Sequence, residues 1–124
     1  MANPNIVAVT SIYGYTTGVA LTTTLTTVLL SNASGSGQVY KVNSILVSNV
    51  DGSAAADVTI DWNTNAGGTG TSTALANTIS VPADATLSVI DKTNSFYLME
   101  NQSIIGGASA NGDLECVISY ESIN

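Results

Sequence analysis

The sequence predicts an all-β chain that folds as a single-domain antiparallel β-sandwich, jelly-roll-like, with about eight strands. Three observations support this prediction. Apolar and polar residues alternate over several short segments, as in strands that bury one face. Turn-forming residues separate these segments at intervals of about 8–12 residues, which is typical of sandwiches and barrels. The length of 124 residues is that of one domain.

The N-terminal segment, residues 1–15, is predicted to be a strand or docking arm, and residues 16–124 are predicted to form the sandwich domain. The first segment ends with IYGY at Ile12–Tyr15, where a glycine separates two tyrosines. An arm that docks on a neighbouring subunit has this kind of composition. We therefore expect this segment to contribute to an interface.

The stretch GVALTTTLTTVLL fits two kinds of structure, because Leu21, Leu25 and Leu29 match helical as well as strand spacing. Five threonines lie between Thr22 and Thr27. Since β-branched side chains lose χ1 freedom in a helix, the threonines favour a strand. The sequence therefore predicts a strand through this stretch.

Two strands are predicted in the middle of the chain, at Lys41–Val50 and Ala56–Asn63. The intervening Asp51-Gly52 pair accepts the positive φ angles of a tight hairpin turn, so we expect the two strands to be antiparallel neighbours. The apolar run at residues 45–47 predicts burial on both faces and a central place in its sheet. In the second strand, one face is expected to carry Val58, Ile60 and Trp62.

Three more strands are predicted in the second half of the chain. Their apolar faces are expected to carry Ile79 and Val81, then Leu87 and Val89, then Leu114, Cys116, Ile118 and Tyr120. The Asn111-Gly112 pair predicts a second tight hairpin before the last strand. The Gly/Thr-rich segment Asn63–Thr73 is predicted to be an exposed mobile loop.

Charge is sparse and strongly acidic. The chain has two basic and nine acidic side chains, no histidine, and a net charge of −7. Phosphate binding needs clustered Lys and Arg, so this balance argues against nucleic acid and against an anionic membrane surface. No apolar run approaches the roughly 18 residues of a membrane span. The N-terminus has no basic residue before an apolar run, so no secretory signal is expected.

The residues needed for catalysis are few. A Ser–His–Asp or Cys–His arrangement needs a base that a chain without histidine does not supply. Cys116 alternates with apolar residues and is expected to be a buried, inert thiol. Asp57 and Asp61 share a strand face, which we interpret as solvated. The sequence predicts no enzyme, no metal site and no cofactor; a weaker alternative is calcium bound by Asp51, Asp57, Asp61, Asp113 and Glu115, which lack EF-hand spacing.

Two sets of residues are candidates for binding. The first is an interface set of apolar and aromatic side chains: Ile12, Tyr13, Tyr15, Tyr40 and Tyr97. Aromatic residues often dominate binding energy at interfaces. The second is a candidate ligand loop: Asn65, Gly67, Gly68 and Thr69. Its glycines lack the following Lys-Ser/Thr of a phosphate-binding loop.

Much of the chain follows one running pattern, in VYKVNSILVSNVDGSAAADVTIDW, TISVPADATLSVI and FYLMENQSIIGGASANGDLECVISYESI, after the opening NIVAVTSIYG. The pattern is a strand, an N-x-DG turn, a strand, a PA-D/G-x-T-L turn and a late S-x-I element leading to ISYE. It resembles a recurrent group of small β-rich virion proteins of marine tailed bacteriophages. The sequence departs from that group at Glu100-Asn101-Gln102, where similar proteins tend to have Glu-Gly-Asp.

The resemblance implies a non-enzymatic capsid decoration (cement) protein on the outer surface of the phage head. Such proteins are often trimeric, so the implied partners are the major capsid protein and copies of the chain itself. An alternative is an adhesin module of a fibre, neck or tail that recognises host glycan. That alternative depends on the loop at 63–73 and on exposed tyrosines.

Overall fold

The computed structural model describes residues 3–124, so the first two residues of the predicted arm lie outside the described residues. The described chain forms nine strands in two antiparallel sheets, with one short 3-10 turn at Lys92–Asn94. The strands are β1 (Ile12–Ala20), β2 (Val28–Asn32), β3 (Val39–Asn49), β4 (Ala56–Asn63), β5 (Ser72–Val81), β6 (Thr86–Ile90), β7 (Phe96–Leu98), β8 (Gln102–Ala108) and β9 (Leu114–Ile123).

The strand order confirms the predicted all-β sandwich. Sheet A has the order β1-β9-β3-β6, with β7 also paired to β3, and sheet B has the order β2-β8-β4-β5. The pairs are nested, since β4 pairs with β5, β3 with β6 and β7, β2 with β8, and β1 with β9. This nesting over two facing sheets is the jelly-roll arrangement of eight positions. Nine strands fill the eight positions because β6 and β7 share one.

The core lies between the sheets and follows the predicted alternation except in β5. Ile79, expected on the buried face beside Val81, is 40% exposed, because the register shift and the positive φ of Thr78 interrupt the alternation there. In β4 and β9 the buried residues include Val58 and Ile60, and Leu114, Cys116 and Ile118, as expected from the sequence. Trp62 is half-buried and packs against this core. Strand β3 is central, as predicted, but only one of its faces is buried, because Leu46 between Ile45 and Val47 is 37% exposed.

Both predicted tight hairpins are wrong. Asp51-Gly52 connects β3 of sheet A to β4 of sheet B, and Asn111-Gly112 connects β8 of sheet B to β9 of sheet A. These turns are therefore corners between sheets. The physical reason is that Asp-Gly and Asn-Gly accept the positive φ angles of a tight hairpin turn but do not impose them. Of the four residues only Gly112 has a positive φ, 81°, so neither pair forms the turn with two positive φ angles.

The predicted strand through the threonines is also wrong between β1 and β2. Residues 21–27 form an irregular crossing from sheet A to sheet B. The Thr27 hydroxyl donates to the Thr24 carbonyl at 2.8 Å, which closes a local turn. The carbonyls of Thr22 and Thr27 accept from the backbone N–H groups of Ala108 and Gly106 at 2.8 and 3.0 Å. Hydroxyl-to-backbone bonds thus compete with strand formation here.

A buried asparagine ends each of β2, β3 and β4: Asn32, Asn49 and Asn63. The Asn49 amide donates to the carbonyls of Ala54 and Val81, both at 2.9 Å, and its side-chain oxygen accepts from the N–H of Asp51. Such asparagine side chains satisfy the backbone groups of the following connection. The corners after β2 and β3 and the hairpin after β4 are therefore held by buried amides.

Candidate docking surface

Strand β1 is an edge of sheet A whose outward backbone groups can be identified from its pairing with β9. Ser11 and Asn124 exchange both backbone hydrogen bonds, at 2.9 and 3.2 Å, and the Leu21 N–H donates to the Leu114 carbonyl at 2.8 Å. The register between these points has no shift. Since bonding alternates along an antiparallel pair, the odd residues bond to β9. The residues that direct their N–H and C=O groups away from the sheet are Ile12, Gly14, Thr16, Gly18 and Ala20.

This edge contains no charged residue, proline or β-bulge that would protect it from pairing with another strand. Lys41 is the first charged residue of the sequence, so β1 and the segment before it carry no charged side chain. A side chain added at Gly14 would meet nothing within 4 Å, and one at Gly18 would meet only the Cys116 carbonyl at 3.9 Å. Natural proteins usually protect a long edge with charges, proline or bulges. An unprotected edge of nine residues is a candidate binding site.

The tyrosine row is a line of aromatic rings across the sheet-B-facing side of sheet A, near one end, formed by Tyr15, Tyr120 and Tyr40. The Tyr15 and Tyr120 ring centroids are 5.5 Å apart, and those of Tyr120 and Tyr40 are 4.9 Å apart. Burial raises the pKa of Tyr40, and Tyr15 adds to the rise. Burial and the two neighbouring tyrosines raise the pKa of Tyr120. Tyr13, which by strand alternation shares this side, is 60% exposed.

The N-terminal patch is a set of exposed apolar side chains from the N-terminal segment, the start of β1 and the region of β7: Ile6, Val7, Ile12, Tyr97 and Met99. Val7 is 92% exposed. A cavity of about 260 Å³ lies between the N-terminal segment and the sheet, lined by Asn3, Pro4, Ile6, Val39, Tyr97 and Met99. Ile6, Tyr97 and Met99 are thus brought together at this cavity, and exposed apolar surface of this kind marks interaction sites.

The structure divides the predicted interface set between two sides of sheet A. Tyr13, Tyr15 and Tyr40 lie on the side of the tyrosine row, whereas Ile12 and Tyr97 lie on the outer side, in the N-terminal patch. Strand β1 also continues through the boundary expected between residues 15 and 16. Residues 12–15 are therefore part of sheet A and pair with β9.

The predicted ligand loop is the connection of the β4–β5 hairpin, and hydrogen bonds among its own residues hold it. The buried Asn63 amide donates to the Gly70 carbonyl and the Ser72 hydroxyl, at 3.2 and 2.9 Å, and its oxygen accepts from the N–H of Asn65. The Asn65 oxygen accepts from the N–H of Gly67 and the hydroxyl of Thr69. Asn63 therefore holds this loop in one arrangement. The composition of the loop had instead indicated a mobile segment.

The predicted arm at residues 1–15 contains Ile6 and Val7 without singling them out, and sequence reasoning missed Met99 and, as a member of the aromatic row, Tyr120. Tyr120 was assigned to the core because it alternates with Ile118. Position along the chain could not show that the strand extends beyond the buried core. The available signal was the absence of charge before Lys41, which marks the N-terminal part as an uncharged surface.

Of the ionisable residues considered for chemistry, Asp51 and Asp113 lie close enough for their side chains to interact. Burial raises the pKa of Cys116 to about 12, so its thiol stays protonated. Asp51 accepts hydrogen bonds from the backbone and hydroxyl of Ser53, which lower its pKa. Among residues 3–124, no three His, Cys, Asp or Glu side chains are grouped as metal ligands. No helix in the described part is long and apolar enough to cross a membrane.

The chain matches no family model, no curated protein and no solved structure.

Proposed function

We propose that this chain is a non-enzymatic structural protein of a bacteriophage particle, a capsid decoration protein on the outer surface of the head. In this role it binds the major capsid protein and other copies of itself, and it stabilises the shell through many modest contacts. It needs no cofactor, nucleic acid or membrane.

The N-terminal patch is the observation that carries this proposal. Val7 is almost fully exposed, and Ile6, which lines the apolar cavity, is half-exposed. Apolar surface in contact with water is unfavourable unless a partner covers it. The five side chains of the patch are uncharged, and a charged neighbour, Lys41, pairs with Tyr97 across β3 and β7. We assign the contact with the shell to this patch.

Two further features support the proposal. The jelly-roll arrangement is one that viral capsid and lectin domains use, although a fold alone does not specify a function. In addition, Asn101 has a φ of 61°, a conformation that glycine favours. The backbone at position 101 therefore also suits the glycine of the Glu-Gly-Asp in the resembling virion proteins.

The test is a count of copies in purified particles that carry this protein. Quantitative mass spectrometry against the major capsid protein is expected to give hundreds of copies per particle. A few copies per particle would overturn the proposal and favour a tail or neck protein that recognises the host.

A further inference from the structure

We propose that two copies of this chain pair through their β1 edges, antiparallel and around a two-fold axis at Thr16, so that the two A sheets form one continuous sheet. This inference deepens the proposed function, because it names the contact between copies. It depends on features of the chain alone, and its test uses isolated protein. If the isolated protein does not dimerise, the proposed binding to a shell still stands. If the protein does not bind a shell, the proposed dimer still stands.

The outward backbone groups fit such a pairing. Ile12, Gly14, Thr16, Gly18 and Ala20 direct N–H and C=O groups away from β9, and no other backbone or side chain among the described residues bonds to them. With the axis at Thr16, all five fall on hydrogen-bonded positions of the new pair. The edge can thus satisfy its backbone groups with an identical strand.

The side chains of β1 are complementary to themselves in this register. The pairs across the axis are Thr16 with Thr16, Gly14 with Gly18, Ile12 with Ala20, Tyr13 with Val19, and Tyr15 with Thr17. Each aromatic ring therefore faces a β-branched residue, a favourable cross-strand combination. Tyr13 and Tyr15, which are 60% and 50% exposed, would gain cover from the second copy.

Electrostatic repulsion is weak in this arrangement although each copy is acidic. Strand β1 has no charge, and the nearest acidic groups in sheet A are on β9, at Glu115 and Glu121. In the paired sheet the two β9 strands are three strand spacings apart, about 14 Å. That distance exceeds the Debye length of about 8 Å at physiological salt, so the solvent screens most of the repulsion.

The other edges are less suited to pairing with a copy. Strand β5 has register shifts against β4, and Thr78 has a φ of 52°, which interrupts a regular edge. Strand β2 has five residues and a register shift, and β6 and β7 have five and three residues. Among the described strands, β1 combines length with an uninterrupted register.

The test is analytical ultracentrifugation of the isolated chain over a range of concentrations. We expect association to twice the monomer mass of 12.6 kDa. Thr16→Pro removes an outward N–H that β9 does not use, so it is expected to weaken the dimer about tenfold or more. The matched control, Thr16→Val, keeps the N–H group and the β-branch and should pair like the unmodified protein.

A cysteine cross-link provides a second test that does not depend on proline being tolerated. Thr16→Cys places two thiols opposite each other at the axis, so mild oxidation should give a covalent dimer. Gly18→Cys faces position 14 of the copy and should cross-link far less. A monomer at every concentration, a trimer, a dimer that Thr16→Pro leaves intact, or equal cross-linking at both positions would each overturn the proposal.

Discussion

The Tyr15 and Tyr120 rings stack with their centroids 5.5 Å apart, which ties the edge strand β1 to its neighbour β9. Tyr120 also contacts Tyr40 on β3, with the ring centroids 4.9 Å apart. The tyrosine row therefore links three strands of sheet A near its end, where the chain begins its first strand. It gives the edge strand a fixed position from which to bind a partner.

A double-mutant cycle tests this linkage. Tyr15→Ala and Tyr120→Ala are each expected to lower the free energy of unfolding, and together by less than the sum of the two single effects. The coupling should be about 0.5–1.5 kcal/mol, the value for aromatic pairs. Urea unfolding at one fixed protein concentration measures it, and strictly additive effects would show that the rings do not interact.

The close approach of β8 to its neighbours predicts strong sensitivity at Gly106 and Gly107. A Cβ atom at Gly107 would lie 2.7 Å from the Thr22 carbonyl oxygen, and one at Gly106 would collide with the Thr59 carbonyl oxygen. Either alanine variant is expected to lose about 3 kcal/mol or more of unfolding free energy. The control, Gly14→Ala, has open space and should change it by less than about 0.5 kcal/mol. Equal effects in chemical denaturation would contradict this packing.

Asn63 is expected to be essential for the order of the β4–β5 loop. Asn63→Ala removes its bonds to Asn65, Gly70 and Ser72, leaves buried backbone groups without partners, and should cost about 2–3 kcal/mol. Thr69→Ala, in the same loop, removes one exposed hydroxyl and should cost less than about 0.5 kcal/mol. Hydrogen exchange of the loop amides, which should accelerate only in Asn63→Ala, separates loop order from global stability.

Cys116 should be unreactive in the folded protein. Its pKa is raised from 9.0 to about 12 by burial, so at pH 9 the native thiol is protonated while the unfolded thiol is half ionised. The contribution of this group to stability is therefore complete below pH 9 and is lost as the pH rises toward 12. Mass spectrometry after iodoacetamide treatment at pH 9 should detect labelling only in urea. Rapid labelling without urea would contradict the burial.

The N-terminal patch predicts a binding defect without a folding defect. Val7→Asp places a carboxylate on the most exposed apolar residue of the patch and should reduce binding to undecorated heads at least tenfold, while the unfolding free energy changes little. Leu25→Asp is the control, because Leu25 is also apolar and is 47% exposed but lies in the β1–β2 crossing. Equal binding of both variants in a co-sedimentation assay would remove the patch from the interface.

The sequence predicted most of the strands and most of the core, with exceptions at residues 21–27 and at Ile79, but not the pairing of the strands. Alternation identified Val58, Ile60 and Ile118 as buried because a strand with one covered face must alternate. The partner of each strand depends on contacts far apart in the chain, as between β1 and β9, and no local pattern encodes them. For the same reason the two turns at Gly52 and Gly112 were assigned to hairpins.

The candidate site was predicted only in part, because exposure depends on where the second sheet ends. Tyr13 and Tyr15 were identified as surface aromatics, and the structure exposes both. The ordering of the loop by Asn63 was not foreseen, since glycine and threonine content indicates flexibility and does not reveal a buried amide. A side chain that satisfies several backbone groups at once is visible only in three dimensions.

The most direct test of the central claim is a cryo-EM map of the particle that carries this protein. The account predicts density for the sandwich at regular positions of the head lattice, with the N-terminal patch of Ile6, Val7, Ile12, Tyr97 and Met99 against the shell. Density confined to the tail or neck, or a head-bound sandwich whose N-terminal patch faces solvent, would contradict it.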